Sequence, residues 1–251
     1  MRYFLHLAYN GSGFCGWQIQ PNEPSVQESI EVALGHLLRQ KIGVTGCGRT
    51  DTGVHASDYY AHFDFDEMSL EKLEQLRFKL NRYFTHEISI LNIFKMKDEA
   101  HARFDAISRT YKYYVAEDKQ PFNNDYSYYF GRKLDIEKMN EAAKCLFNYI
   151  DFTSFSKLHT QVNNNNCTIL EAFWERKDGL LVFTISANRF LRNMVRSITG
   201  TLLDVGLGKI TIEDFCRIIE SKDRSLAGVS VPAKALFLHK LSYPRNIFEV
   251  I

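Results

Sequence analysis

Hydrophobic positions recur with two spacings along the chain, and each change of spacing marks a new element. Arg2 to Tyr9 alternates and is rich in aromatic residues, the pattern of a half-buried strand. After Pro24, a Ser25-Val26-Gln27-Glu28 capping box precedes Val26, Ile30, Ala33, Leu34 and Leu37 at helical spacing. A helix with one buried face is expected there, ending near Gln40. Ile42 to Cys47 is short and β-branched, and Asp58 to Phe65 reads as a further strand. Ser69 caps an amphipathic helix with Leu70, Leu73, Leu76 and Leu80 inward, and Ile88 to Met96 closes as a strand. The order β-α-β-β-α-β is that of a ferredoxin-like unit.

The second half repeats this order with one helix added. Ser108 to Val115 is a strand with Arg109, Tyr111 and Tyr113 on one face and Lys112 and Tyr114 on the other. Lys119 to Asp125 is a polar loop. Asp135 caps a helix with Ile136, Met139, Ala142, Ala143 and Leu146 inward. The run Asn163 to Asn166 reads as an exposed loop. Thr168 to Arg176 and Leu180 to Ala187 flank Lys177-Asp178-Gly179, a hairpin signal. A helix opening at Arg189 and running to about Val205 would line up Arg189, Arg192 and Arg196 in one stripe, with Leu191, Val195, Ile198 and Leu202 as its apolar face. Thr211 to Asp214 caps a last helix through about Ser221, followed by a final strand. The expected class is α+β, with two tandem ferredoxin-like halves at 1–106 and 107–251. The duplication rests on element order, since no identity between the halves is visible.

Composition narrows the function classes. Hydrophobic content of 45% and charge of 24% over 251 residues are those of a soluble globule with a sizeable core. Five scattered cysteines, odd in number and without a Cys-x-x-Cys pair, argue for reduced thiols in a cytoplasmic protein. No leader pattern and no membrane-length apolar run is seen, and the histidines have no zinc-like spacing. A net charge of +1 does not announce nucleic acid, so an RNA partner would need basic groups gathered on one face. Ala187 to Leu203, with three arginines and no acid, partly meets that demand.

The chemistry concentrates in Gly46-Cys47-Gly48-Arg49-Thr50-Asp51-Thr52-Gly53-Val54-His55-Ala56. Three glycines bend the backbone and let it approach a ligand closely. Asp51 is a carboxylate held within that bend. Arg49, two residues earlier, would point the same way in extended chain and favour the ionised form. Such a carboxylate suits a nucleophile or a general base; a turn with a local ion pair explains the same residues. Asp51-Thr52-Gly53 also matches the aspartic proteases, but Arg49 opposes the shared proton that those enzymes need.

The longer string decides between these. Gly48 to Ala56 resembles the GRTDxGVHA loop of the TruA family of tRNA pseudouridine synthases. Further matches follow in order: Tyr9 through Gln18, Ala100-His101-Ala102-Arg103-Phe104, Arg109-Thr110-Tyr111-Lys112-Tyr113, Asp151 to Ser156, Phe190 to Arg196, and Pro232 to Leu238 with Ala235 in place of a glycine. The resemblance implies the pseudouridine synthase fold, its two sheets joined and its catalytic cleft central. It implies an isomerase that converts uridine to pseudouridine at positions 38, 39 and 40 of the tRNA anticodon stem–loop, working as a homodimer without metal or cofactor. It makes Asp51 the nucleophile, with Arg49, Tyr111 and Arg196 in the catalytic set. Substrate contacts are expected from Tyr111, Arg49, His55, Arg109, Arg189 and Arg192. Trp17 reads as a core anchor, and Ser154 and Ser156 as packing residues open to RNA contact. The alternative is a non-catalytic RNA-binding protein on the same scaffold, using the aromatic strand as a stacking platform.

Overall fold

A computed structural model describes residues 1–157 and 164–248. These residues form an α+β fold and divide into two compact units: Met1–Ile107 with the chain from Leu238 onward, and Ser108–Phe237.

The first unit runs β1 (Arg2–Tyr9), α1 (Val26–Leu38), β2 (Thr45–Gly46), β3 (His55–Asp64), α2 (Leu70–Tyr83) and β4 (Ile88–Met96). β1 is central, antiparallel to both β3 and β4, and β2 pairs with β3. The pleat sends Tyr3, Leu5, Leu7 and Tyr9 to one face, opposite Phe63, Ala61 and Tyr59 of β3, and all of these are buried. Ile30 and Leu34 of α1 and Leu73, Leu76 and Leu80 of α2 are buried as well. Leu70, expected inward, is 55% exposed. At 3.6 residues per turn it lies roughly a quarter turn away from the stripe of the other three leucines. α1 stops two residues earlier than expected, at Leu38, where Arg39 takes a left-handed φ of 58°. Of the expected strand at 42–47 only Thr45 and Gly46 pair, whereas β3 begins at His55 and so reaches back to the glycine loop.

The second unit runs β5 (Ser108–Ala116), β6 (Tyr128–Tyr129), α3 (Ile136–Cys145), β7 (Ile169–Lys177), β8 (Leu180–Ala187), α4 (Met194–Gly206) and α5 (Ile212–Ser221). β8 lies between β5 and β7, antiparallel to both, and β6 adds to β5 in parallel. The β7–β8 hairpin closes through Asp178 and Gly179, both at positive φ (50° and 77°), as a two-residue type I′ turn requires. α5 carries a capping box between Thr211 and Asp214. The last strand, β9 (Leu236–Ser242), is a neighbour of β3.

α4 departs most from expectation. It begins at Met194, because Asn193 adopts a left-handed φ of 67° and interrupts the helix. Arg189 and Arg192 precede it, so the expected three-arginine helical stripe does not exist. Asn163 lies outside the described residues; Asn165, from the same run, donates to Thr153 Oγ1 at 2.9 Å. Ser154 and Ser156 are buried, and Ser154 Oγ donates to Ile218 O at 2.6 Å, which is a packing role.

Candidate active site

In the first unit the candidate loop spans 47–54, between β2 and β3. Cys47 N–H donates to Tyr60 O (2.8 Å), extending the β2 pairing by one residue. The Tyr59 hydroxyl donates to Gly48 O at 2.5 Å. Thr50 is buried, with its Oγ1 2.8 Å from the Tyr9 hydroxyl and its carbonyl accepting from Trp17 N–H at 3.2 Å. Val54 N–H donates back to Asp51 O (3.1 Å), closing a turn in which Gly53 has φ 76°. Glycine supplies that positive φ without a side-chain clash. Gly53 N–H in turn donates to Phe14 O at 3.3 Å.

The loop is therefore held by the turn that follows β1. That turn is itself fixed by α1, whose first N–H groups would otherwise lack partners. Val26 N–H donates to Gly16 O (3.3 Å) and Gln27 N–H to Trp17 O (3.0 Å). Gly16, at φ 93°, lies so close to the loop that a Cβ there would sit 2.5 Å from Thr50 O. A Cβ on Gly11 would collide with the Val54 carbonyl. Beneath, Trp17 and Tyr59 stack at 4.2 Å, with Tyr9 edge-on to Tyr59 at 5.4 Å. Trp17 is the core anchor expected of it, buried under the loop.

Asp51 is half-buried and Arg49 exposed. Among the described residues no ion pair joins them, so the local pairing expected from their spacing is not formed. An exposed arginine gains too little from such a pair to be held by it. His55, expected to contact substrate, is 1% exposed, and its Nδ1 accepts the Gly11 N–H at 3.0 Å. In a neutral ring that bond places the proton on Nε2.

In the second unit, β5 holds Arg109 opposite Ala187 and Tyr111 opposite Ile185. Both side chains are half-buried. Phe190 stands edge-on to the Tyr111 ring at 5.2 Å, and Arg109 Nη1 donates to Asn188 O at 2.8 Å. The segment after β8 is thus folded against the strand face that carries Tyr111. Tyr113, on the same face, is buried and donates to Pro232 O at 2.9 Å; burial pushes its phenol far above the usual range. Arg189 is half-buried beside Asn164 (3.4 Å), and Arg192 is exposed.

Arg196 lies in the first turn of α4. Its Nε donates to Val231 O at 2.7 Å, and Val231 N–H returns to Arg196 O at 3.3 Å. Asn193 Nδ2 donates to Ser230 Oγ at 2.5 Å, and Arg224 Nη2 reaches the same hydroxyl at 2.9 Å. These supports of Arg196 were not read from the sequence. Gly200 in mid-helix, where a Cβ would collide with Val229 O, is a local signal of so close an approach, as is Gly228 against Thr201 N. The Tyr9–Thr50 hydroxyl pair was likewise missed; its partners lie 41 residues apart in sequence.

The chain is similar to known proteins along almost its whole length. A family model described as tRNA pseudouridine synthase matches residues 142–244. The chain is 55% identical over 249 residues to "tRNA pseudouridine synthase A" of Parabacteroides distasonis, covering 99% of this chain and 98% of that one. It is 53% identical to the protein of that name from Bacteroides fragilis, with the same coverage. Identity to the Bacillus subtilis protein of that name is 39%, over 97% of this chain and 99% of that one. With such identity along almost the whole length, the chain belongs to the tRNA pseudouridine synthase A family.

Proposed function

We propose that this protein is an isomerase that converts uridine to pseudouridine in tRNA, at positions 38, 39 and 40 of the anticodon stem–loop, with Asp51 as the catalytic carboxylate. The observation that carries the reading is the Asp51 loop itself: a half-buried carboxylate on a backbone fixed on both sides by Tyr9 and the 11–17 turn. Full-length similarity to tRNA pseudouridine synthases supports the substrate.

The reaction breaks the bond between C1′ and N1 of the uridine. The uracil turns, C1′ bonds to C5, the C5 proton leaves to solvent and N1 gains a proton. No electrons are transferred and no water is added, so the balance closes without metal or cofactor. A stacked target must first leave its stem, which costs about a few kcal/mol. Binding of the rest of the tRNA supplies that energy, largely through phosphate contacts that weaken with salt. Arg49, exposed on the loop, fills the space the base vacates. Asp51 then acts at the ribose, by attack at C1′ or by taking a proton from C2′. Tyr111 packs on the uracil with Phe190 behind it, and Arg196 is assigned to the same catalytic set. Arg109, Arg189 and Arg192 meet the RNA backbone. His55 acts from within, holding Gly11 against the loop. The enzyme works as a homodimer in the cytoplasm.

Mapping pseudouridine in unmodified tRNA transcripts after incubation with the protein tests the proposal. Modification at 38–40 is the expected result. Modification confined to another tRNA arm would overturn the site assignment.

A further inference from the structure

The segment from Ala100 to Ala106 belongs to neither the Asp51 loop nor the arginine-bearing strands and helix, yet it is firmly built. Arg2 Nη1 donates to Ala100 O (2.9 Å) and the Tyr243 hydroxyl to Ala102 O (2.6 Å). Ala102 N–H donates to His62 Nδ1 at 3.1 Å. His101 closes the turn: its N–H donates to Asp105 Oδ2 (2.7 Å), and its carbonyl accepts from Asp105 N–H (3.1 Å). Its Nδ1 accepts from Arg103 N–H (3.1 Å) and Phe104 N–H (3.3 Å). Both imidazoles must be unprotonated at Nδ1 to accept. Burial, reinforced by Arg2, lowers both, His62 to about 4, so these bonds persist at neutral pH.

What this turn presents is a phenyl ring. Phe104 is 74% exposed, its ring 4.2 Å from that of His101, with the Arg103 guanidinium 5.8 Å from its centroid. An exposed loop tip of small polar residues would need none of these supports. A fixed aromatic face with a cation beside it has the chemistry of a stacking platform. Every nucleobase offers a π-face to such a ring, and the cation suits the neighbouring phosphate. Bases inside an A-form stem are not accessible to a side chain, whereas loop bases are. A ring already held in place loses little freedom on binding.

Resting on the reading of this chain as a tRNA-modifying enzyme, we propose that Phe104 stacks on an unpaired base of the tRNA, with Arg103 meeting the adjoining phosphate. Neither Phe104 nor Arg103 is among the residues assigned to bond making and breaking.

The test uses the full chain with unmodified tRNA transcript and compares wild type with Phe104→Ala, Phe104→Leu and Phe104→Trp. Four quantities are measured: Kd, tritium release from C5-labelled uridine, melting temperature and oligomeric state. The Ala and Leu variants are expected to weaken binding by on the order of tenfold or more, with KM rising in step. Trp should bind like wild type, and melting temperature and oligomeric state should not move. Arg103→Ala should reduce the salt dependence of binding by the equivalent of about one phosphate contact. Wild-type affinity in the Ala variant would overturn the proposal, as would wild-type affinity in Leu. A change of oligomeric state in the Ala variant would also overturn it, because the ring would then cover a second copy of the chain. A wild-type protein that neither binds tRNA nor releases tritium would instead remove the tRNA reading itself, so the two failures are distinguishable.

Discussion

The loop that carries Asp51 and the segment that carries Arg196 are held by different means. Around Asp51 the bonds are mostly backbone to backbone, from the 14–17 turn to Thr50 and Gly53, and glycines permit the close approach. Around Arg196 they are mostly side-chain bonds, to Val231 O and Ser230 Oγ, from residues more than thirty positions away in sequence. A loop fixed through its backbone keeps its shape whatever its exposed side chains do. A segment fixed through side chains keeps its shape only while those side chains are present. Substitutions should therefore act on the two regions differently.

The sharpest break is Gly16→Ala. The added Cβ meets Thr50 O and the residue must hold a φ of 93°, so the loop shifts or the turn unwinds. Displacement of a catalytic group by about 1 Å can cost about a hundredfold in rate. The overpacking should also lower stability by about 1–3 kcal/mol. Single-turnover kinetics and urea denaturation read the two effects. Arg196→Lys comes next. Lysine lacks the planar fork that aims Nε at Val231 O, so turnover should fall by about tenfold while stability changes by less than about 1.5 kcal/mol.

How much of this was legible in the sequence follows the same division. The order of strands and helices in the first unit, the Asp178-Gly179 hairpin and the burial of Trp17 all came from local pattern, whereas the two-residue strand β6 did not. The glycines marked a sharp bend at the Asp51 loop, but the same residues also suited a plain turn; the longer string's resemblance to a family singled Asp51 out. The start of α4 did not come from local pattern either. Phe190 to Arg196 has helical spacing, whereas the left-handed residue that breaks it, Asn193, is tied to Ser230, remote in sequence. The Arg49–Asp51 spacing likewise suggested an ion pair that an exposed arginine does not keep. His55 was expected at the substrate through the family resemblance, not from its local pattern; it is buried, and one of its partners, Gly11, lies 44 residues back.

The turn at 101–105 offers a third kind of support, through imidazole acceptors, and it should respond to pH. Burial, followed by Arg2, lowers His62 from 6.5 to about 4. Above about pH 6.5 the ring is neutral in both folded and unfolded chains, and its contribution to stability is fully present. Between 6.5 and 4 the unfolded chain takes up the proton and the folded one does not, so stability falls as pH falls through that window. Melting temperature against pH should show this slope, and His62→Asn, which retains an acceptor, should flatten it.

Tyr9→Phe removes one buried hydroxyl from the Asp51 support while leaving the backbone bonds in place. It should cost about 1 kcal/mol, visible as a modest drop in melting temperature, with turnover reduced only a few-fold. The smallest effect is expected at Arg192, exposed ahead of α4. Arg192→Ala should weaken tRNA binding slightly and lower the slope of log Kd against log salt by about one, without altering the fold.

The central claim is that the Asp51 loop is the reaction centre of a uridine isomerase. Tritium release from tRNA labelled at C5 of uridine tests it most directly, because only the new bond at C5 frees that tritium to water. Wild type and Asp51→Ala should be run side by side at matched tRNA occupancy. Wild type should release tritium, and the variant should lose at least about 10² to 10⁴ in rate, with binding largely retained. Equal release by both proteins would remove Asp51 from the chemistry. Binding by wild type with no release from any unmodified tRNA would contradict the enzyme reading altogether.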